Sequence, residues 1–210
     1  MIIDLKDILL SSLRWSIGLS IGGLLGLFLA SLNNFKYINR PFKLIVDFFR
    51  AIPVIGIVPI IQMNIGVNEF GKIGLIAWAV MFPVWITISS TIGKTHENAE
   101  LSLISFSRSV FFRVYTMPKL IGGFLKGIEL GIGIAWLAVV AAEWVGTFSS
   151  GFWSGGLGYK LIVGTDQDNW EMVYANLLTF GILGLLSAYI WRLSIRLMLK
   201  KIKFFNPLLA

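Results

Sequence analysis

Long apolar stretches alternate with shorter polar ones along the whole chain. A helix needs about 20 apolar residues to cross the hydrocarbon core of a bilayer. Five stretches approach that length, at roughly residues 15–35, 44–66, 72–93, 120–146 and 172–195. The pattern predicts an all-α integral membrane fold with five transmembrane helices, and we expect residues 8–204 to form one domain.

The composition agrees with a membrane protein and narrows its chemistry. Hydrophobic residues make up 56% of the 210 residues and charged residues 14%, against about 25% in an average soluble domain. Mean hydropathy is +0.80. The chain has no cysteine and one histidine, His96. We therefore expect no disulfide, no metal site and no catalytic residue.

The first 14 residues, Met1–Arg14, are weakly amphipathic. They lack a basic start and a small-residue cleavage site, so we expect no cleavable signal peptide. This stretch is predicted either to lie along the membrane interface or to extend the first transmembrane helix.

The basic residues are distributed unevenly between the two faces of the membrane. With five spans, 14 of the 18 Lys and Arg residues fall toward one face and four toward the other. Lys and Arg accumulate in cytoplasmic segments, so the sequence predicts an outside N-terminus and a cytoplasmic C-terminus. No basic segment forms a contiguous stripe interleaved with aromatic residues. The excess therefore indicates contact with anionic lipid heads and not with nucleic acid.

Glycine and proline mark two of the predicted spans. Gly18, Gly22 and Gly26 recur at four-residue spacing in span one, which predicts a face where another helix packs closely. Pro53 and Pro59 interrupt span two, and each removes a backbone hydrogen bond. They favour a broken helix beside a pathway, or equally a structural kink with no pathway.

Span four is the least apolar of the five. Glu129 lies nine residues past Leu120, roughly 14 Å into the membrane at 1.5 Å per residue. Lys126, one turn away, is its expected partner. A carboxylate at that depth is unfavourable and predicts a function, whereas Glu143 at the outer end is either solvated or part of an outer gate. The candidate pathway residues are Pro53, Pro59, Glu129, Trp136 and Glu143.

A polar segment at residues 94–118 separates spans three and four. Its central part is typical of a helix with one polar and one apolar face, closed by Pro118. A solvated loop has no need of three phenylalanines, Phe106, Phe111 and Phe112. The segment therefore either packs against the chain's own membrane helices or offers an apolar surface to a partner.

Several short motifs, taken in order and spacing, resemble one family over most of the chain. The chain is similar to the permease subunits of type I ATP-binding-cassette importers, most closely the nitrate/sulfonate/taurine/bicarbonate branch. The motifs are SSLRWSIG at Ser11–Gly18, RAIPVIGIVP at Arg50–Pro59, SRSVFFRVYTMP at Ser107–Pro118, AAEW at Ala141–Trp144 and GGLGY at Gly155–Tyr159.

The resemblance implies that residues 94–118 hold a cytoplasmic coupling helix seated in a groove of an ATPase. Counting back from Pro118, the family's turn glycine falls at Ser105 and its Glu-Ala-Ala at residues 99–101, so this copy departs from the pattern. The implied ATPase-coupling residues are Ala99, Glu100, Leu101, Ser105, Phe106, Ser107, Arg108 and Phe112.

The resemblance also implies partners and a mechanism. A second permease subunit, identical or related, would complete the pathway, two cytoplasmic ATPase subunits would bind ATP, and an external binding protein would deliver the solute. The solute of this branch is a small anion such as nitrate, sulfonate, taurine or bicarbonate. The permease itself would bind no cofactor and hydrolyse nothing.

Three alternatives stay open on the sequence alone. The first is a permease of the same superfamily for another solute such as methionine. The second is a membrane channel or scaffold with no ATPase. The third is an intramembrane enzyme centred on Glu129 and Glu143.

Overall fold

The structure is a computed structural model, and it describes residues 4–32, 39–64, 68–102, 116–145 and 155–201. Every regular element in these ranges is a helix, which confirms the predicted all-α class. The helices are α1 (Leu5–Leu32), α2 (Asn39–Ala51), α3 (Val54–Asn64), α4 (Glu69–Ser102), α5 (Met117–Val145), α6 (Leu157–Asp166) and α7 (Trp170–Lys201).

Four of these helices are long and apolar enough to cross a membrane. The candidate spans in the described residues are Leu5–Leu32, Glu69–Thr91, Met117–Trp144 and Trp170–Met198. Helices α2 and α3 together pass the same test, but they are bent by 87° at the break between them. The protein is therefore an integral membrane protein with four continuous candidate spans, or up to five if the bent pair of α2 and α3 is one span. Helix α1 is continuous from Leu5, so the N-terminal stretch extends the first span.

Helices α1 and α4 pack in parallel through the glycines of span one. A Cβ atom added at Gly18 would lie 2.5 Å from the Ile76 side chain, and one added at Gly22 would lie 2.6 Å from the Ala77 carbonyl oxygen. Gly26 meets Val84 in the same way, at 2.7 Å. Contacts that advance in the same direction on both helices define a parallel pair. The predicted packing face of span one is confirmed.

Helix α5 packs antiparallel to α4 on the opposite side of the same core. Gly123, Gly127 and Gly131 of α5 approach, in turn, Ile88, Val84 and Val80 of α4. The order runs backward along α4, so the two helices have opposite directions. The centre of the bundle is then filled by fully buried aliphatic and aromatic side chains, which include Ile76, Val80, Trp85, Ile132 and Val139.

The parallel pairing of α1 and α4 determines how the chain crosses the membrane. Because both helices begin at the same end of the bundle, the chain must return across the membrane between them. The stretch that contains α2 and α3 makes this return, although it is bent by 87°. We call the end where α1 begins the N-terminal end. Helix α7, antiparallel to α5, finishes at the opposite end.

The break between α2 and α3 occurs at the first of the two prolines. Pro53 has no N–H to donate, and the residue before a proline avoids helical geometry. Helix α2 accordingly ends at Ala51, and Gly56 N–H donates to the Pro53 carbonyl at 2.8 Å as α3 begins. Helix α3 continues through Pro59. Of the two predicted interruptions, only the one at Pro53 breaks the helix.

The tight contact between α1 and α4 makes a prediction for Gly22. We expect Gly22→Leu to lower the free energy of unfolding by about 3 kcal/mol, the upper part of the range for overpacking, because the new side chain would overlap backbone atoms of α4. Thermal unfolding of the purified protein in detergent measures the effect. Gly74→Leu on α4 is the matched control, since a Cβ there meets nothing within 4 Å. Equal losses for both variants would contradict the close packing.

Candidate functional site

A buried group of charges lies at the N-terminal end of the bundle, centred on Arg14 of α1 and Glu143 of α5. The Arg14 Nη1 atom donates to Glu143 Oε1 at 2.7 Å, and the two side chains are 2% and 0% exposed. The Ser11 hydroxyl, one turn before Arg14 on the same face, lies 2.8 Å and 3.0 Å from the two Glu143 carboxylate oxygens. A span-four carboxylate thus has both a positive charge and a hydroxyl donor beside it.

The other edge of the Arg14 guanidinium binds the start of α4. Its Nε and Nη2 atoms donate to the two carboxylate oxygens of Glu69 at 2.7 Å and 2.8 Å. This is the fork geometry in which arginine binds a carboxylate most strongly. Lys72, one turn along α4, donates to the same Glu69 carboxylate at 2.8 Å. The guanidinium therefore joins the ends of α1, α4 and α5.

The same group of side chains caps the N-terminus of α6. A helix leaves its first N–H groups without partners inside the helix, and here no side chain of α6 itself caps them. The Gly156 N–H donates to Asp7 Oδ1 at 2.9 Å, and the Gly158 N–H donates to Glu143 Oε2 at 2.8 Å. Between them, the Leu157 N–H donates to the Ser11 oxygen at 2.9 Å. Carboxylates are favourable at a helix N-terminus, so α1 and α5 hold α6 in place.

Two glycines before α6 allow the backbone to approach these carboxylates. Gly155 and Gly156 have φ values of +121° and +125°, which L-residues with a side chain rarely adopt. A Cβ at Gly156 would overlap the Glu143 carboxylate. The Gly155 carbonyl also accepts a hydrogen bond from Arg14 at 2.8 Å. We call this set the outer-end network, after the predicted outer end of span four where Glu143 lies. It is defined by Asp7, Ser11, Arg14, Glu69, Lys72, Glu143, the backbone of residues 155–158, and Lys160, which pairs with Asp7 at 2.9 Å.

The outer-end network is suited to holding helices together and not to proton transfer. The Glu143 carboxylate accepts hydrogen bonds from three groups, one of which is the Arg14 guanidinium, so its charge is paired. Within the described part of the chain, no group of His, Cys, Asp and Glu side chains is arranged to hold a metal ion. The expectation of a solvated Glu143 is corrected, because residues 155–158 and α1 cover it.

Glu129 lies apart from this network, between α5 and α7. Its carboxylate oxygen Oε1 is 2.7 Å from the Nε atom of Arg192 on α7. The structure thus pairs Glu129 with Arg192 in place of the predicted Lys126. The reason is the rotation of α5, which turns Glu129 toward α7, while Lys126 is exposed.

Trp136 lies in the packed interior, two turns along α5 from Glu129. Its ring stacks on Trp15 with centroids 5.2 Å apart, and its Nε1 atom donates to the Ser187 hydroxyl at 3.0 Å. Phe180 of α7 meets it edge-on at 5.8 Å. Trp136 therefore joins α1, α5 and α7.

Pro53 lies beside a cavity of about 270 Å³ between the α2–α3 break and α4. Its walls are mostly apolar and aromatic, and Arg50 is the charged residue among them. The lining residues are Arg50, Ile52, Val54, Trp78, Ala79, Phe82, Pro83, Ile86 and Ile134. Pro59 is exposed on α3. Of the predicted pathway residues, the structure therefore brings none into the outer-end network except Glu143.

Comparison with known proteins identifies the chain. The family model described as "binding-protein-dependent transport system inner membrane component" matches residues 22–200. The chain belongs to this family. The resemblance to permeases of ATP-binding-cassette transporters is thereby confirmed, and the protein is a transport subunit and not an enzyme. The alternative of an intramembrane enzyme centred on Glu129 and Glu143 is wrong.

The related permeases are not all named for the same solute. A putative aliphatic sulfonates transport permease protein of Bacillus subtilis (strain 168) is 28% identical over 91% of this chain and 68% of its own length. A probable ABC transporter permease protein of Brucella melitensis is 33% identical over 67% of this chain and 55% of its own. A formylaminopyrimidine transport permease protein of Halalkalibacterium halodurans is 25% identical over 81% and 67%. The chain thus matches between 55% and 68% of the length of these relatives.

The predicted coupling residues of this permease fall at the end of the described part of α4 and beyond it. Ala99, Glu100 and Leu101 belong to α4, which extends to Ser102. The remaining five lie outside the described residues: Ser105, Phe106, Ser107, Arg108 and Phe112. Their role in coupling stays a prediction.

The sequence prediction did not include most of the outer-end network of this permease. Ser11 and Arg14 lie in SSLRWSIG, Glu143 in AAEW and the capped N–H groups in GGLGY. Each motif contributes to the family resemblance, and none of them indicates a common site by itself. The available signal was charge: Arg14, Glu69 and Glu143 all lie at the edges of predicted spans at one face of the membrane, where opposite charges can pair.

Proposed function

We propose that this chain is the transmembrane permease subunit of an ATP-driven importer that moves a small solute into the cytoplasm by alternating access. The observation that carries the proposal is the match of residues 22–200 to a binding-protein-dependent transport family. The proposed assembly has a second permease subunit, identical or related, two cytoplasmic ATPase subunits and an external binding protein. ATP and its hydrolysis belong to the ATPase subunits.

The charge distribution supports an orientation in the cell's inner membrane. The N-terminal end of the bundle carries the start of α1, the start of α4, the end of α5, and α6. In the sequence, 14 of the 18 Lys and Arg residues fall in segments predicted toward the opposite face. Lys and Arg accumulate on the cytoplasmic side. The outer-end network then faces outward, with the N-terminus outside and the C-terminus in the cytoplasm.

The same orientation supports coupling at residues 94–118. These residues run from the last turns of α4 to the first residues of α5. They lie toward the face predicted to be cytoplasmic, where the ATPase subunits would bind. An apolar face on a short helix is suited to insertion into a groove of a partner. Closure of the ATPase subunits around ATP would then move the permease helices as rigid bodies and open the pathway to the other side.

The relatives support an organic solute and leave its class to experiment. Two of the related permeases are named for aliphatic sulfonates, from Bacillus subtilis and Escherichia coli. Another is named for formylaminopyrimidine. We propose an aliphatic sulfonate or a related small anion as the first solute to test, with methionine as the contrasting one.

Uptake by the reconstituted complex tests the proposal. We expect proteoliposomes that contain the permease and its ATPase, with the binding protein outside, to accumulate labelled ethanesulfonate only when ATP is enclosed. The double variant Phe106→Asp/Phe112→Asp should abolish ATP-driven uptake and co-purification of the ATPase, because charge is unfavourable in an apolar groove. Phe106→Leu/Phe112→Leu is the conservative control.

The alternatives give different results in this assay. Solute flux that is equal with and without ATP indicates a channel. Unchanged uptake and ATPase binding in the aspartate variant contradicts the assignment of the coupling segment. If methionine is taken up in an ATP-dependent way and the sulfonate is not, the importer function stands and the proposed solute is wrong.

A further inference from the structure

One stripe of α5 is left uncovered by the other described helices. Lys126, Leu130, Gly133 and Leu137 recur at intervals of three and four residues and are all exposed. Such spacing places them on one face of the helix. The other faces of α5 pack against α4 through Gly127, against α1 and against α7.

Two elements border this stripe and make it the floor of a groove. On one side, α7 is joined to α5 by the pairs Glu129–Arg192 and Trp136–Ser187. On the other side, Ile134 of α5 and Val54 of α3 line the cavity at the α2–α3 break. We call this the α5 groove, defined by Leu130, Gly133 and Leu137 at its floor. No side chain occupies the floor at Gly133, and a Cβ there would meet nothing within 4 Å.

The ion pair at the edge of the groove indicates what the groove contacts. Within the membrane-spanning helices, the side chains of Glu129 and Arg192 are 34% and 62% exposed. Charged side chains that contact lipid in the membrane are unfavourable and usually face a bundle interior or a water-filled cavity. Arginine can extend toward the headgroups, but the shorter glutamate side chain stays at the depth of its own residue.

The outward face of α1 has the opposite character. Its large exposed side chains in the membrane are apolar, among them Leu13, Leu24 and Phe28. The exposed serines there, Ser20 and Ser31, donate to backbone carbonyls of their own helix. Such a face is compatible with lipid. The two faces of the bundle thus differ in the environment they require.

We propose that the α5 groove is this subunit's half of the solute pathway, that water reaches it, and that the Glu129–Arg192 pair is a polar contact on its wall. The second permease subunit supplies the other half. The inference rests on the proposed function and makes it specific. Of the predicted pathway residues, Glu129 and Pro53 would then lie beside the pathway. Trp136 and Glu143 would not line it, because both side chains are buried.

Single cysteines test water access directly, because the natural chain contains none. The test introduces Gly133→Cys and Leu137→Cys in the groove, and Leu24→Cys on α1, into the complete transporter in permeabilised membranes. A charged methanethiosulfonate reagent that does not enter lipid is the probe. Leu137 and Leu24 are well matched, since their exposures in the isolated chain are 73% and 64%. Asp166→Cys at the exposed end of α6 is the positive control for labelling.

We expect the groove cysteines to react at least about tenfold faster than Leu24→Cys, because water and not lipid surrounds them. We also expect their rates to change when the ATPase subunits are trapped with ATP and vanadate, since alternating access opens the groove to one side at a time. Labelling of Leu137→Cys that is as slow as that of Leu24→Cys, in both nucleotide states, would overturn the proposal. That result would indicate a groove filled by lipid or sealed by a partner subunit.

Uptake by the cysteine-free parent separates this inference from the proposed function. If uptake is ATP-driven but the groove cysteines do not react, the proposed importer function stands and the α5 groove is not part of the pathway. If the groove cysteines react but uptake is not driven by ATP, the groove is filled with water and the proposed importer function is contradicted. As a second readout, Arg192→Gln should slow uptake, while Arg192→Lys, which keeps the charge, should restore part of it. If both variants and the parent take up solute at the same rate, the Glu129–Arg192 pair is not part of the pathway wall.

Discussion

Replacing Arg14 by methionine is expected to lower the free energy of unfolding by about 3–5 kcal/mol, the usual effect of removing one partner of a buried ion pair. Arg14 is 2% exposed and donates to Glu69, Glu143 and the Gly155 carbonyl. Methionine has a similar length but no donor, so the Glu143 carboxylate would stay buried without its cation. Thermal unfolding in mild detergent and the yield of monodisperse complex measure the loss.

Two further variants separate the charge effect from lost packing. The double variant Arg14→Met/Glu143→Met removes both charges, and we expect it to be more stable than Arg14→Met alone. Glu69 keeps Lys72 as a partner at 2.8 Å in that variant. Arg192→Met removes a largely exposed pair, for which the effect is about 0–1 kcal/mol. If Arg14→Met were no less stable than Arg192→Met, the outer-end network would have no special role in stability.

The outer-end network explains how one end of this permease is held rigid. Its ion pairs and hydrogen bonds join α1, α4, α5 and α6, four helices that are distant in sequence. By contrast, the ion pair described within α2, Asp47–Arg50, is internal to that helix. In the proposed alternating-access mechanism, one part of a subunit moves relative to another. The network would then hold α1, α4, α5 and α6 together as the fixed part, and α2, α3 and α7, which border the α5 groove, would be the parts that rearrange.

Much of this fold could be predicted from sequence because its signals are local. The length of an apolar stretch gives a span, and glycines four apart give a packing face, as Gly18, Gly22 and Gly26 show. Proline chemistry predicted the break at Pro53. Each of these follows from a short window of sequence, and the helix that results does not depend on which other helix packs against it.

The partners of the charged residues were harder to predict because they depend on how the helices are rotated and arranged. Lys126 is one turn from Glu129 in sequence, yet α5 turns Glu129 toward Arg192, 63 residues away. Glu143 lies near the end of a span, where sequence alone suggests water. Its burial depends on Gly155 and Gly156, whose φ values of +121° and +125° bring the next segment over it. Contacts of this kind join residues that no short window contains.

Among the glycines that the structure describes, Gly156 is the one whose replacement by alanine is expected to be the most disruptive. A φ of +125° is unfavourable for alanine, with a strain on the order of 1–3 kcal/mol. The added methyl group would also overlap the buried Glu143 carboxylate, and overpacking of that kind destabilises by about 1–3 kcal/mol. We expect lower thermal stability and, because α6 loses its capping contacts, faster proteolysis between α5 and α7.

Gly181→Ala on α7 is the matched control for this variant. A Cβ there meets nothing within 4 Å, and alanine in a helix interior is favoured over glycine by roughly 0.5–1 kcal/mol. The control should therefore match or exceed the parent in stability and leave proteolysis unchanged. If Gly156→Ala behaved like Gly181→Ala, the backbone before α6 would not lie against Glu143, and the contacts that seat α6 on α1 and α5 would have to be abandoned.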